Sequence, residues 1–140
     1  MSSHQTRVRL NEGRAFTGEL NGREIPIGAA PPDGGERKGV SPKGLTLTSL
    51  CGCTAIDVID ILRKMRQDVT DLVVEARADE TDEHPRIFRE ILLTYRVKGK
   101  NLSRERVEHA VELSQEQYCG VSAMLKATVP IKTEIVIEEA

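Results

Sequence analysis

The order of hydrophobic periodicities in this 140-residue chain predicts an α+β fold. Three observations carry that expectation. Three short alternating stretches near the N-terminus are divided by the turn signals NEG and NG. One long apolar segment of helical character follows. A second set of alternating stretches then brackets two short helices, so the order is β-β-β-α-β-β-α-α-β and not the strict alternation of a wound parallel sheet.

The first strands are expected at Thr6 to Leu10, Arg14 to Leu20 and Arg23 to Ile27, as an antiparallel meander. Gly28 to Ser41 (GAAPPDGGERKGVS) has no periodicity and is rich in Gly and Pro, the composition of a loop. Ser41 followed by Pro42 is a helix start: Ser caps open N–H groups and Pro fits the first helical position. The helix runs to about Gln67, with Gly44 and Gly52 as points where it could break, and its apolar residues cover most of its circumference.

Beyond it, VTDLVVEARADE alternates with the period of a half-buried strand, and Ile87 to Lys98 repeats the pattern after TDEHP, so the two form a long hairpin. Gly99 to Leu102 reads as a turn. Ser103 starts a helix with Val107, Ala110, Val111 and Ser114 on one face. Ser114 and Gln117 have capping-box spacing, so a second short helix is expected from Ser114 to about Ala127. Val129 to Glu138 alternates as the last strand.

The whole chain, residues 1–140, is the size of a single domain. Hydrophobic content is 39%, aromatics are 3% and there is no Trp, so the core is built from Val, Ile, Leu and Ala. A modest core of that kind gains from oligomerisation. Net charge is −2 with both signs interspersed, which argues against nucleic acid as a partner. The N-terminus lacks an apolar leader, and no run approaches the roughly 18 apolar residues that cross a bilayer. No membrane association and a cytoplasmic location are expected.

Chemistry concentrates on Cys51, Cys53 and Cys119. A zinc site wants four ligands at C-x-x-C or His spacing; C-x-C on a helix plus one distant Cys does not supply them, so no metal and no cofactor is expected. Residues two apart on a helix point about 200° apart, so a Cys51–Cys53 disulfide is poor and only one of the two can share a pocket with Cys119. Buried filler remains an alternative for each cysteine. Asp57 and Asp60 lie three apart on the helix, a spacing open to acid–base work, and are expected instead to pair with nearby Arg63, Lys64 or Arg66. Tyr118 is a candidate either for packing or for a hydrogen bond beside Cys119.

The segments SPKGLTLTSLCGCTAIDVIDILRKMRQDV, HPRIF, LLTYRVKGKNL and VEHAVELSQEQYCGVSAML, in this order, resemble the OsmC/Ohr family of osmotically inducible and organic-hydroperoxide-resistance proteins. The resemblance implies an intertwined homodimer of OsmC-like fold, its antiparallel sheets wrapped around long central helices. It also implies a thiol peroxidase acting on organic hydroperoxides, in which Cys53 is the nucleophile and Cys119 resolves its sulfenic acid as a disulfide. An outside dithiol, of lipoyl type or smaller, resets the pair. Arg14 is the best match for the family's activating arginine, with Arg23 its rival. The chain departs from the peroxidase branch at Lys43, where that branch has Glu, and Lys43 itself is a candidate activator of Cys53. That departure keeps a second function open: a redox-sensing or apolar-ligand-binding dimer of the same fold without turnover.

Overall fold

The computed structural model describes residues 2–140, which divide into two compact units with the boundary between Thr46 and Leu47. In the first, β1 (Thr6–Glu12), β2 (Ala15–Leu20) and β3 (Arg23–Gly28) form an antiparallel sheet in that order. Asn21 and Gly22 both take positive φ, +48° and +84°, the geometry a two-residue hairpin turn needs. The loop after β3 returns to the same strand: Val40 N–H donates to Pro26 O (2.9 Å) and Gly28 N–H to Val40 O (3.1 Å). Gly39 permits this. Its φ is +97°, and a Cβ there would lie 2.6 Å from the Pro26 carbonyl carbon.

Helix α1 spans Pro42–Lys64 without interruption, so neither Gly44 nor Gly52 breaks it. Ser41 Oγ accepts from Gly44 N–H at 3.2 Å, as a cap should. The helix ends where Arg66 turns left-handed (φ +58°) and Gln67 N–H closes on Leu62 O at 2.9 Å.

The second unit carries β4 (Asp68–Glu80), β5 (Phe88–Lys100), α2 (Arg104–Leu113), one π-helical turn (Ser114–Tyr118), α3 (Gly120–Leu125) and β6 (Ile131–Glu139). The sheet order is β4-β5-β6. The β4–β5 hairpin is antiparallel as expected, but β6 runs parallel to β5, so this sheet is mixed. The helical stretch between β5 and β6 is the crossover that a parallel neighbour requires.

Register aligns the apolar positions in rows across the three strands: Leu72–Val97–Ile137, Val74–Tyr95–Ile135, Ala76–Leu93–Thr133 and Ala78–Ile91–Ile131. On β5 the residues in these rows, Ile91, Leu93, Tyr95 and Val97, are buried. They form one core with Leu50, Val58 and Leu62 of α1 and Val107, Ala110 and Val111 of α2. The buried α1 positions Leu50, Thr54, Val58 and Leu62 recur every four residues, a single stripe.

That stripe is narrow for so apolar a helix. With 23 residues and a mean hydropathy of 1.6 over its best window, α1 does meet the length and composition of a membrane span, against the expectation from sequence. Its buried stripe makes it the core helix of a folded unit instead. Ile56, 64% exposed, marks the apolar flank the single chain leaves uncovered.

Candidate functional site

Cys53 is half-buried on α1 and directly precedes Thr54, which is fully buried. Cys119 is 3% exposed and lies on no helix. Its backbone is extended (φ −76°, ψ 101°), between the π-helical turn and α3. The helix expected to start at Ser114 therefore starts at Gly120, with Cys119 as its cap. Ser114 itself is helical (φ −60°, ψ −49°) and continues α2, and its side chain caps nothing. The capping-box spacing misled because Ser114 sits on the buried stripe, where its hydroxyl finds stronger partners across the core.

Those partners form a connected chain. Ser114 Oγ donates to Asp57 Oδ2 at 2.9 Å and lies 2.8 Å from Thr54 Oγ1. Thr54 Oγ1 lies 2.8 Å from the Tyr95 hydroxyl, and Gln115 Nε2 donates to both, at 3.2 and 3.0 Å. A hydroxyl has one proton to donate. With Ser114 committed to Asp57, Thr54 donates to Ser114 and Tyr95 donates to Thr54. All donors thus point one way, from Gln115 through Tyr95, Thr54 and Ser114 to the Asp57 carboxylate. The ion pair expected for Asp57 with Arg63, Lys64 or Arg66 is replaced by this bond. Burial pushes the Tyr95 phenol up to about 12, only partly offset by its hydrogen bonds to Thr54 and Gln115.

The chain of hydroxyls ties the two cysteine-bearing segments together. Thr54 holds α1 next to Cys53, and the Ser114 carbonyl accepts the Cys119 N–H at 2.7 Å. The two thiols are neighbours, close enough for the Cys53 sulfur to act on the Cys119 thiol. Burial raises the Cys119 thiol above its ordinary value, Ser122 beside it acts to lower it, and the neighbouring Cys53 sulfur raises it again. Ser122 N–H donates to Cys119 Sγ at 3.4 Å.

Cys51 is half-buried and its thiol is raised by burial first and by the Glu75 carboxylate second. Arg14 belongs to the first unit, in the turn before β2, where its Nη1 donates to Ala30 O at 3.0 Å. Lys43 belongs to the first unit, in the first turn of α1. Tyr118 is 60% exposed rather than packed. Among the described residues no cluster of three or more His, Cys, Asp or Glu side chains could hold a metal ion. Thr54, Tyr95, Ser114, Gln115 and Ser122 were missed as site residues in the sequence. The one available signal was Ser114 itself, a hydroxyl in line with Val107, Ala110 and Val111 on a buried face.

A cysteine on the core helix thus neighbours a cysteine on the crossover segment of this α+β fold. The sequence pattern of the family described as OsmC-like protein matches residues 34–134, and the chain belongs to that family. It is 41% identical over 128 residues to protein YhfA of Escherichia coli, covering 91% of this chain and 92% of YhfA. The crystal structure of a hypothetical protein from Aquifex aeolicus superposes with a TM-score of 0.89 at 29% identity, covering 100% of this chain and 99% of that one. An organic hydroperoxide resistance protein from Elizabethkingia anophelis shares the fold with a TM-score of 0.75 at 13% identity, over 97% of this chain and 96% of its own.

Proposed function

We propose that this protein is a thiol-dependent peroxidase for organic hydroperoxides in oxidative stress defence, with Cys53 as nucleophile and Cys119 as resolver. The observation that carries the reading is that the two cysteines are neighbours on segments held together by buried hydroxyls. The Cys53 thiolate attacks one peroxide oxygen, the O–O bond breaks and an alcohol leaves after protonation. Cys119 sulfur then attacks the Cys53 sulfenic acid, forming the disulfide and releasing water. An outside dithiol reduces the disulfide. Family membership supports the same reading, as does the shared fold of an organic hydroperoxide resistance protein.

The working form is a homodimer in a reducing, cytoplasmic compartment. The uncovered apolar flank of α1 supports the dimer. An apolar interface also favours organic peroxides over hydrogen peroxide, which brings no apolar surface to bury. Arg14 keeps, from the resemblance, the role of activating arginine, and Arg14→Ala is expected to slow thiol oxidation without altering Cys119 capture.

Reduced protein titrated with cumene hydroperoxide, followed by intact mass and thiol counting, tests the reading. Rapid loss of two thiols per chain, a Cys53 sulfenic adduct in Cys119→Ser and no reaction in Cys53→Ser are expected. Survival of all thiols in excess peroxide would overturn it and leave the apolar-ligand-binding dimer.

A further inference from the structure

Ser122 is fully buried, and its Oγ has no hydrogen-bond partner among the described residues. A buried hydroxyl in that condition costs stability, so its retention calls for an explanation. The same residue directs its N–H at Cys119 Sγ. A thiol sulfur is a weak acceptor, whereas a thiolate is an ionic and strong one. The Ser122 hydroxyl therefore lacks an adequate partner while Cys119 is a thiol and gains one when Cys119 carries a charge.

Burial says when that charge arises. Cys119 is 3% exposed and Cys53 is half-buried, so an incoming reductant meets the Cys53 sulfur first. We propose that Ser122 is a catalytic residue of the reductive half-reaction, donating its hydroxyl and N–H to the Cys119 thiolate that departs when a dithiol reduces the Cys53–Cys119 disulfide. The inference rests on the proposed function only in requiring that disulfide.

The electrons balance as follows. A thiolate of the external dithiol attacks Cys53 Sγ, a new S–S bond forms, and the Cys53–Cys119 bond breaks with its electron pair on Cys119. The reductant's second thiol then attacks its own mixed-disulfide sulfur, releasing the Cys53 thiolate and a cyclic disulfide. The two protons of the dithiol end on Cys53 and Cys119. A leaving thiolate that is better stabilised leaves faster, and Ser122 acts at that point. The titratable groups facing Cys119 are Cys53 and Tyr95, and Tyr95 stays neutral throughout.

The test installs the disulfide with diamide in a Cys51→Ala background, so it does not depend on peroxide turnover. Reduction by dithiothreitol is then timed in the parent, Ser122→Ala and Ser122→Thr. Ser122→Ala is expected to be reduced about 3- to 10-fold more slowly, with Ser122→Thr restoring the rate. In Cys53→Ser the alkylation midpoint of Cys119 is expected to move to higher pH when Ser122→Ala is added. Glutathione trapping in the parent, mapped by mass, is expected to place the mixed disulfide on Cys53. Equal reduction rates, an unmoved midpoint, glutathione on Cys119, or no Cys53–Cys119 disulfide with diamide would each overturn the proposal. Should Ser122→Ala fail to fold, the glutathione map in the parent decides. Inertness to cumene hydroperoxide with a normal diamide result would instead remove the proposed function and leave this inference standing.

Discussion

Thr54 Oγ1 and Ser114 Oγ lie 2.8 Å apart in the core, although sixty residues separate them in the chain. One neighbours Cys53 in sequence, and the other's carbonyl accepts the Cys119 N–H, so this single contact helps set the spacing of the cysteine pair.

Removing one hydroxyl tests that coupling. Ser114→Ala strips Thr54 of its acceptor and Asp57 of its donor in a buried setting, and a loss of about 1–3 kcal/mol in urea unfolding is expected. Sulfenate on Cys53, trapped with dimedone, should persist longer than in the parent, because Cys119 is less firmly held. An unchanged sulfenate lifetime would show that Ser114 serves stability alone.

Cys51 offers a contrast. Its thiol is raised by burial and by Glu75, so less of it is thiolate at neutral pH. Iodoacetamide should label Cys51 more slowly than a free cysteine at pH 7 and faster as pH rises. Cys51→Ala should leave peroxide consumption and disulfide formation within about twofold of the parent, since the residue lies off the Cys53 face.

Tyr95 makes stability depend on pH at the alkaline end. Its folded value of about 12 lies above the unfolded value near 10, so the folded state holds the proton more tightly. The stabilisation is complete below pH 10 and is lost as pH rises toward 12. The full loss is about 3 kcal/mol, from two pKa units. Unfolding curves for Tyr95→Phe should lack this alkaline slope while being less stable at neutral pH, where Thr54 has lost a donor. A parent curve flat between pH 10 and 12 would contradict the assignment.

Ile56, 64% exposed on the uncovered flank of α1, should lie in the dimer interface. Sedimentation is expected to show a dimer for the parent and a shift toward monomer for Ile56→Glu, which places a charge where apolar surface should be buried. A monomeric parent would remove the dimer from the proposal.

Much of this architecture was legible in residue order. Turn signals located the meander, and alternation with period two located the β4–β5 hairpin, because a half-buried strand must place apolar groups on one side. Ser41–Pro42 marked the start of α1, and about 200° of helix turn set Cys51 and Cys53 on different faces. The pairing of Cys53 with Cys119 was carried by resemblance alone, since no local pattern relates positions 66 residues apart.

Other features required the folded chain. The parallel placement of β6 follows from where the crossover lands, which no periodicity encodes. The π-helical turn and the extended backbone at Cys119 displaced the expected capping box, because Ser114 bonds Thr54 and Asp57 across the core more profitably than its own N–H groups. Local pattern reports what a residue prefers among its neighbours in sequence. Where a buried polar group must find its partner depends on which segments packing brings within about 3 Å, and that is a property of the tertiary structure.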